Sequence, residues 1–189
     1  MDYAKYKNVR NASWQCLLDC NIRSLPVPIG SICRIYDIDV IDDDNNYLNA
    51  NESGRIVKIN SEIAIVVNNT EPKSRCRFSI AHELGHFLFG HLGDDVTQLN
   101  RARTEVKPEL ETQADMFAAR LLAPACVLWG LDLHTAEEIS ETCNISLQAA
   151  GFRAERMQEL YRRNRFLTSP LERRLYDQFR DFIEHNRRR

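Results

Sequence analysis

Residues 75–91 read Arg-Cys-Arg-Phe-Ser-Ile-Ala-His-Glu-Leu-Gly-His-Phe-Leu-Phe-Gly-His, with His82, Glu83 and His86 at the centre. Phe78, Ala81, Leu84, Phe87 and Leu88 give the segment the apolar spacing of a buried helix. That helix is expected to run from about Pro72 through Phe89, with Gly90 and Gly93 ending it. Side chains four residues apart on a helix differ by only about 40° in azimuth, so the two imidazoles face one point and can hold one metal ion. Glu83 lies one step round the same side, within reach of a water that it can deprotonate as general base. The plain alternative is two ordinary histidines on a helix.

A catalytic zinc takes three protein ligands and leaves one position open. Two residues compete for the third place. His91 follows closely, but the H-E-x-x-H-x-x-G-x-x-H pattern of metzincins requires glycine where Phe89 stands and histidine where Leu92 stands. On a continued helix His91 would also point about 180° away from His82. The other candidate is Glu111, on the next expected helix, with Asp115 one turn later on the same face. Glu-x-x-x-Asp after H-E-x-x-H resembles the gluzincin arrangement, in which the glutamate ligates zinc and the aspartate orients a ligand histidine. Leu110, Ala114, Phe117, Ala118 and Leu121 give this helix an apolar face to pack on the first. The competing readings make Glu111 a solvated helix carboxylate, or put Glu109 or Glu105 in its place.

Composition bounds the rest. The chain has 189 residues with 43% hydrophobic content, enough for one compact domain with a small accessory unit, and too apolar for a disordered chain. A net charge of −2 gives no support for a general nucleic-acid coat. The N-terminus lacks a signal-peptide core, and no apolar run approaches the roughly 20 residues of a membrane span. Six scattered cysteines without a close C-x-x-C pair read as reduced thiols, used for packing, in a cytoplasmic protein.

Outward from the central segment, residues 3–20 read as helix, and Pro26 and Pro28 interrupt the chain before a short amphipathic helix at Ile29 to Tyr36. Ile38 to Ile41, Arg55 to Ile59 and Glu62 to Val67 read as strands, the last two as an antiparallel hairpin. Residues 93–107 read as loop. Pro108 opens a helix to about Ala123, stopped by Pro124. Everything downstream reads helical, with Thr135-x-x-Glu138 and Ser169-x-x-Glu172 marking helix starts. Leu171, Leu175, Phe179, Phe182 and Ile183 form the stripe of one final helix. The fold class is α+β through the first two-thirds and all-α in the last third.

Residues 75–86 resemble the R-x-R-F-[ST]-[LI]-A-H-E-L-G-H signature of the ImmA/IrrE metallopeptidase family. Residues 111–124 resemble its second block, E-x-E-A-[ND]-x-F-A-A-x-L-L-M-P, with Gln113 in place of the second acid and Ala123 in place of methionine. The resemblance is specific over 75–124 and extends weakly over roughly 20–160. It implies a zincin-like core, with a small antiparallel sheet packed on the H-E-x-x-H helix over residues 1–124. A helix-turn-helix-like segment would follow at 125–168, then an amphipathic helix and basic tail at 169–189. It also implies a substrate-binding edge strand, with Glu62 to Val67 in that role, and a zinc centre on His82, His86 and Glu111 that also accepts manganese. Asp115 would orient a histidine and Glu83 would be the catalytic base.

The activity implied is site-specific peptide hydrolysis, its substrate a helix-turn-helix repressor or antitoxin-like protein partner. The alternative is a metal-binding regulatory protein that holds its partner without cutting it. Direct DNA binding through 135–165 is the lesser reading. Residues 151–189 carry eleven arginines against six acids, but Ala149, Ala150 and Phe152 stand where base-reading polar residues would be expected. No membrane contact is implied.

Overall fold

A computed structural model describes residues 3–44, 46–59, 62–91 and 108–187. The chain divides into two compact units, Ile29–Ala118 and, together, Met1–Pro28 with Ala119–Arg189. Among the described residues, no helix is long and apolar enough to cross a membrane.

In the first unit, α2 (Ile29–Ile35) leads into β1 (Ile38–Asp42), and β2 (Gly54–Ile59) and β3 (Glu62–Val67) follow. Helix α3 (Lys73–Leu88) comes next, and α4 (Pro108–Leu122) begins here and crosses the division near its last turn. The α+β class stands, but the sheet is mixed rather than antiparallel. Its order is β1-β3-β2, with β1 parallel to β3 and β2 antiparallel to it. Strand β3 is therefore central, which overturns Glu62 to Val67 as the edge. Ala64, Ile65, Val66 and Val67 are all buried. A continuous apolar run covered on both faces is the mark of an inner strand.

The connection that makes the sheet mixed crosses the end of β3. Asp43 N–H donates to Val67 O on leaving β1, and Asn68 N–H donates to Ser53 O just before β2 begins. Within the connection, the Asp43 carboxylate accepts from the backbone N–H groups of Tyr47 and Leu48. This turn packs Tyr47 and Leu48, with Ile41, over Val57, Ala64 and Val66 on one sheet face. The other face carries Ile56 and Ile65, which are cross-strand partners, and α3 packs on β2 and β3. Each fully buried side chain in this layer, such as Ile65 or Leu84, contributes about 1.5–3 kcal/mol.

The second unit is helical: α1 (Tyr3–Asp19), α5 (Ala125–Gly130), α6 (Ala136–Cys143), α7 (Leu147–Arg162), α8 (Pro170–Gln178) and α9 (Arg180–Asn186). Its two chain segments are joined by Gln178, whose Nε2 donates to Leu17 O and Ile22 O at 2.9 and 2.7 Å. Thr135 and Glu138 form the capping box that their spacing predicts. Ser169 accepts from Glu172 N–H, whereas the Glu172 carboxylate reaches one residue further back, to Thr168 N–H. The single C-terminal helix is two, because Phe179 leaves helical geometry at φ −93°, ψ 3°. Leu175, Phe179 and Ile183 remain buried on one side of that break. All six cysteines are free, and all but Cys76 are buried.

Candidate metal centre

Helix α3 carries two of the expected ligands and α4 the third. Gly85 lets these helices approach closely: a Cβ there would lie 3.1 Å from Phe117 Cδ1 and 3.3 Å from Ala114 Cα. Ala114 and Phe117 are fully buried, so this contact locks the register of α4 against α3. Glu111 and Asp115, one turn apart on α4, then reach the same pair of imidazoles.

His82 Nε2 lies 3.0 Å from His86 Nε2 and 3.2 Å from Glu111 Oε2. His86 Nε2 lies 3.4 Å from Glu111 Oε1. Zinc bonds of 2.0–2.1 Å at tetrahedral angles separate neighbouring ligand atoms by about 3.3 Å. The three residues thus match the donor chemistry and spacing of one small divalent cation, and their ligand atoms all fall within 4.8 Å of one another. Glu109 is exposed at the start of α4, and Glu105 lies outside the described residues, as does the loop expected at 93–107.

Asp115 Oδ1 stands 2.8 Å from His82 Nδ1, so a His82 protonated on Nδ1 donates to it and turns Nε2 toward Glu111. Burial disfavours the charged form of His82. The Asp115 hydrogen bond and the negative fields of Glu83, Asp115 and Glu111 outweigh it, and the His82 pKa is raised above the usual 6.5. His82 and His86 side chains are 16% and 4% exposed against 43% for Glu111, so the group opens to solvent on its carboxylate side.

Glu83 is not in that cluster. Its Oε2 accepts from Ile56 N–H on β2 at 2.9 Å, while its charge still acts on His82. The Ser53–Asn68 hydrogen bond sets the antiparallel ladder, so residues 54, 56 and 58 turn their backbone groups away from β3. The edge beside the histidines is therefore β2.

His91 is the site neighbour that helical projection misses. Helix α3 ends with Gly90 at φ +65°, Gly90 N–H donating to Phe87 O and His91 N–H to His86 O. This Schellman reversal folds His91 back, placing its Nδ1 3.1 Å from His86 Nδ1. Burial lowers the His91 pKa, against the opposing effects of a hydrogen bond to Gln113 and the charge of Glu111. Gly90 was the available signal, since a left-handed residue ends the helical projection used to point His91 away.

Helices α6 and α7 pack against each other through a turn at Asn144, which takes the left-handed conformation at φ 51°. The exposed positions over 147–155 are Leu147, Gln148, Phe152 and Glu155, whereas Arg153 is buried and donates to Ala123 O at 2.7 Å. No basic residue is exposed over 147–155, whereas Arg162, Arg163 and Arg165 are exposed at and beyond the end of α7.

No curated protein matches the chain. Among solved structures, a Mycobacterium tuberculosis transcriptional regulator superposes with a TM-score of 0.57 at 16% identity, over 76% of this chain. The chain spans 45% of that protein's length, and the likeness is one of fold. Residues 40–155, more than half of the chain, match the peptidase family described as the IrrE N-terminal-like domain. That span holds β2, β3 and the end of β1, both site helices and the His82–His86–Glu111 group, and the chain belongs to this family.

Proposed function

We propose that the chain is a cytoplasmic metal-dependent endopeptidase that cleaves a helix-turn-helix transcriptional repressor or an antitoxin-like partner. The observation that carries this is the meeting of His82, His86 and Glu111 at one point, with Glu83 anchored on the adjacent strand β2. His82, His86 and Glu111 would hold zinc, or manganese, and Asp115 would orient His82. A bound divalent ion supplies Lewis acidity that polarises the scissile carbonyl and makes its water easier to deprotonate. Glu83 accepts the water proton and delivers it to the departing amine. An extended substrate adds to the outer edge of β2, where the outward backbone groups of residues 54 and 58 and the carbonyl of Ile56 pair with it.

The repressor as substrate follows from the family resemblance, and the fold likeness to a transcriptional regulator is compatible with it. Co-expression with the product of the gene next to its own tests the proposal. Metal-loaded chain should yield two fragments, and Glu83→Gln should leave the partner intact while keeping its metal. Loss of one general base typically lowers the rate 10²–10⁴-fold. A partner left whole by the metal-loaded wild-type chain would refute cleavage and favour a holding role.

A further inference from the structure

The two histidines of the centre are supported differently. His82 leans on a carboxylate, Asp115, through Nδ1. His86 has another imidazole at the corresponding position, His91 Nδ1 at 3.1 Å. The His91 ring is stacked on Phe89 with centroids 5.5 Å apart and planes 29° apart, and Phe89 meets the buried Phe117 edge-on at 5.6 Å. The Gln113 side chain hydrogen-bonds His91. His91 is thus held by the turn at Gly90, by an aromatic stack and by a residue of α4.

Two nitrogens in contact need one proton between them: one donates and the other accepts. His86 turns Nε2 toward His82 and Glu111, and a ligating Nε2 carries no proton. A neutral His86 therefore has its proton on Nδ1 and donates to His91 Nδ1. His91 then carries its own proton on Nε2, where the Gln113 carbonyl can accept it.

We infer that His91 is the positioning residue of His86 and fixes the tautomer in which His86 binds the metal. This rests on the metal centre proposed above, and the experiment separates the two. Zinc affinity of the full-length metal-free chain is measured by competition with a chromophoric chelator, for wild type, His91→Leu and His91→Asn. Removing a ligand's supporting partner typically weakens metal binding by about 10–100-fold, which is the loss expected for His91→Leu. The Asn carbonyl can take the place of Nδ1 as acceptor, so His91→Asn should bind within a few-fold of wild type.

Both His91 variants lose the aromatic ring, so a merely structural role would move them equally, and equal losses overturn the inference. Wild-type affinity in His91→Leu also overturns it while leaving the metal centre standing. A wild-type chain that takes up no zinc overturns the centre and this inference together.

Discussion

Replacing Gly85 by alanine tests whether the close approach of α3 and α4 builds the site. The added methyl would lie 3.1 Å from Phe117 Cδ1 and 3.3 Å from Ala114 Cα. Carbon atoms prefer about 3.5–4.0 Å, so both contacts must open by a few tenths of an ångström. The phenyl ring could turn aside, but Ala114 Cα is backbone and retreats only if α4 does. Glu111 lies one turn before Ala114 on α4 and would be carried from the histidines. Metal ligand distances tolerate about 0.2 Å, so zinc affinity should fall at least tenfold.

Stability should register the same clash. Overpacking costs about 1–3 kcal/mol, against the roughly 0.5–1 kcal/mol gained by removing glycine from a helix interior, leaving a net loss of about 0–2.5 kcal/mol. Gly151, inside α7 with nothing within 4 Å of its would-be Cβ, is the control. Gly151→Ala should gain about 0.5–1 kcal/mol, so the two variants should melt several degrees apart. Urea and thermal melts of the metal-free chain, with chelator competition for zinc, give both readouts. If Gly85→Ala stabilises as much as Gly151→Ala and binds zinc as wild type does, the close-approach reasoning is wrong.

Two further outcomes follow from the hydrogen bonds and charges of the centre. Asp115→Asn keeps the size of the side chain but removes its charge from His82 Nδ1, and zinc affinity should drop about 10–100-fold; an unchanged chelator titration would count against Asp115 as the orienting group. In the metal-free chain, the raised His82 pKa means that folding strengthens proton binding. Its stabilisation is fully present below 6.5 and disappears as pH rises through the higher folded value. The melting-temperature advantage of wild type over His82→Gln should therefore shrink from about pH 5.5 to 8, and an advantage that grows with pH contradicts the assignment. Zinc affinity should run the other way and rise with pH, because the metal displaces that proton.

The spacing of His82, Glu83 and His86 was legible because helical azimuth depends only on local geometry. Helices α2, α3 and α4, the β2–β3 pairing and the Thr135 capping box were legible for the same reason: each is set by neighbours within a few residues. The i, i+4 spacing with Asp115 already favoured Glu111 over Glu109, and the packing of Gly85 on Ala114 and Phe117 is what brings Glu111 to the histidines. The break at Phe179 was hidden because Leu175, Phe179 and Ile183 keep one apolar stripe across it, and periodicity does not report backbone dihedrals.

Strand order was the clearest case of what pattern cannot carry. The alternation and length of a run mark it as a strand, yet its neighbours are chosen by hydrogen bonds to distant backbone, and backbone groups are chemically alike. Val67 bonding to Asp43, and Ser53 to Asn68, took the connection across the end of β3 and left β2 at the edge beside Glu83. The return of His91 is similar, since one left-handed residue at Gly90 reverses the direction that helical projection assigns. The sequence by itself determined that two imidazoles and a carboxylate share a helix able to hold a metal. Only the tertiary structure brought Glu111 beside the two histidines, set β2 next to Glu83 and returned His91 to His86, because those placements depend on contacts that helical periodicity does not report.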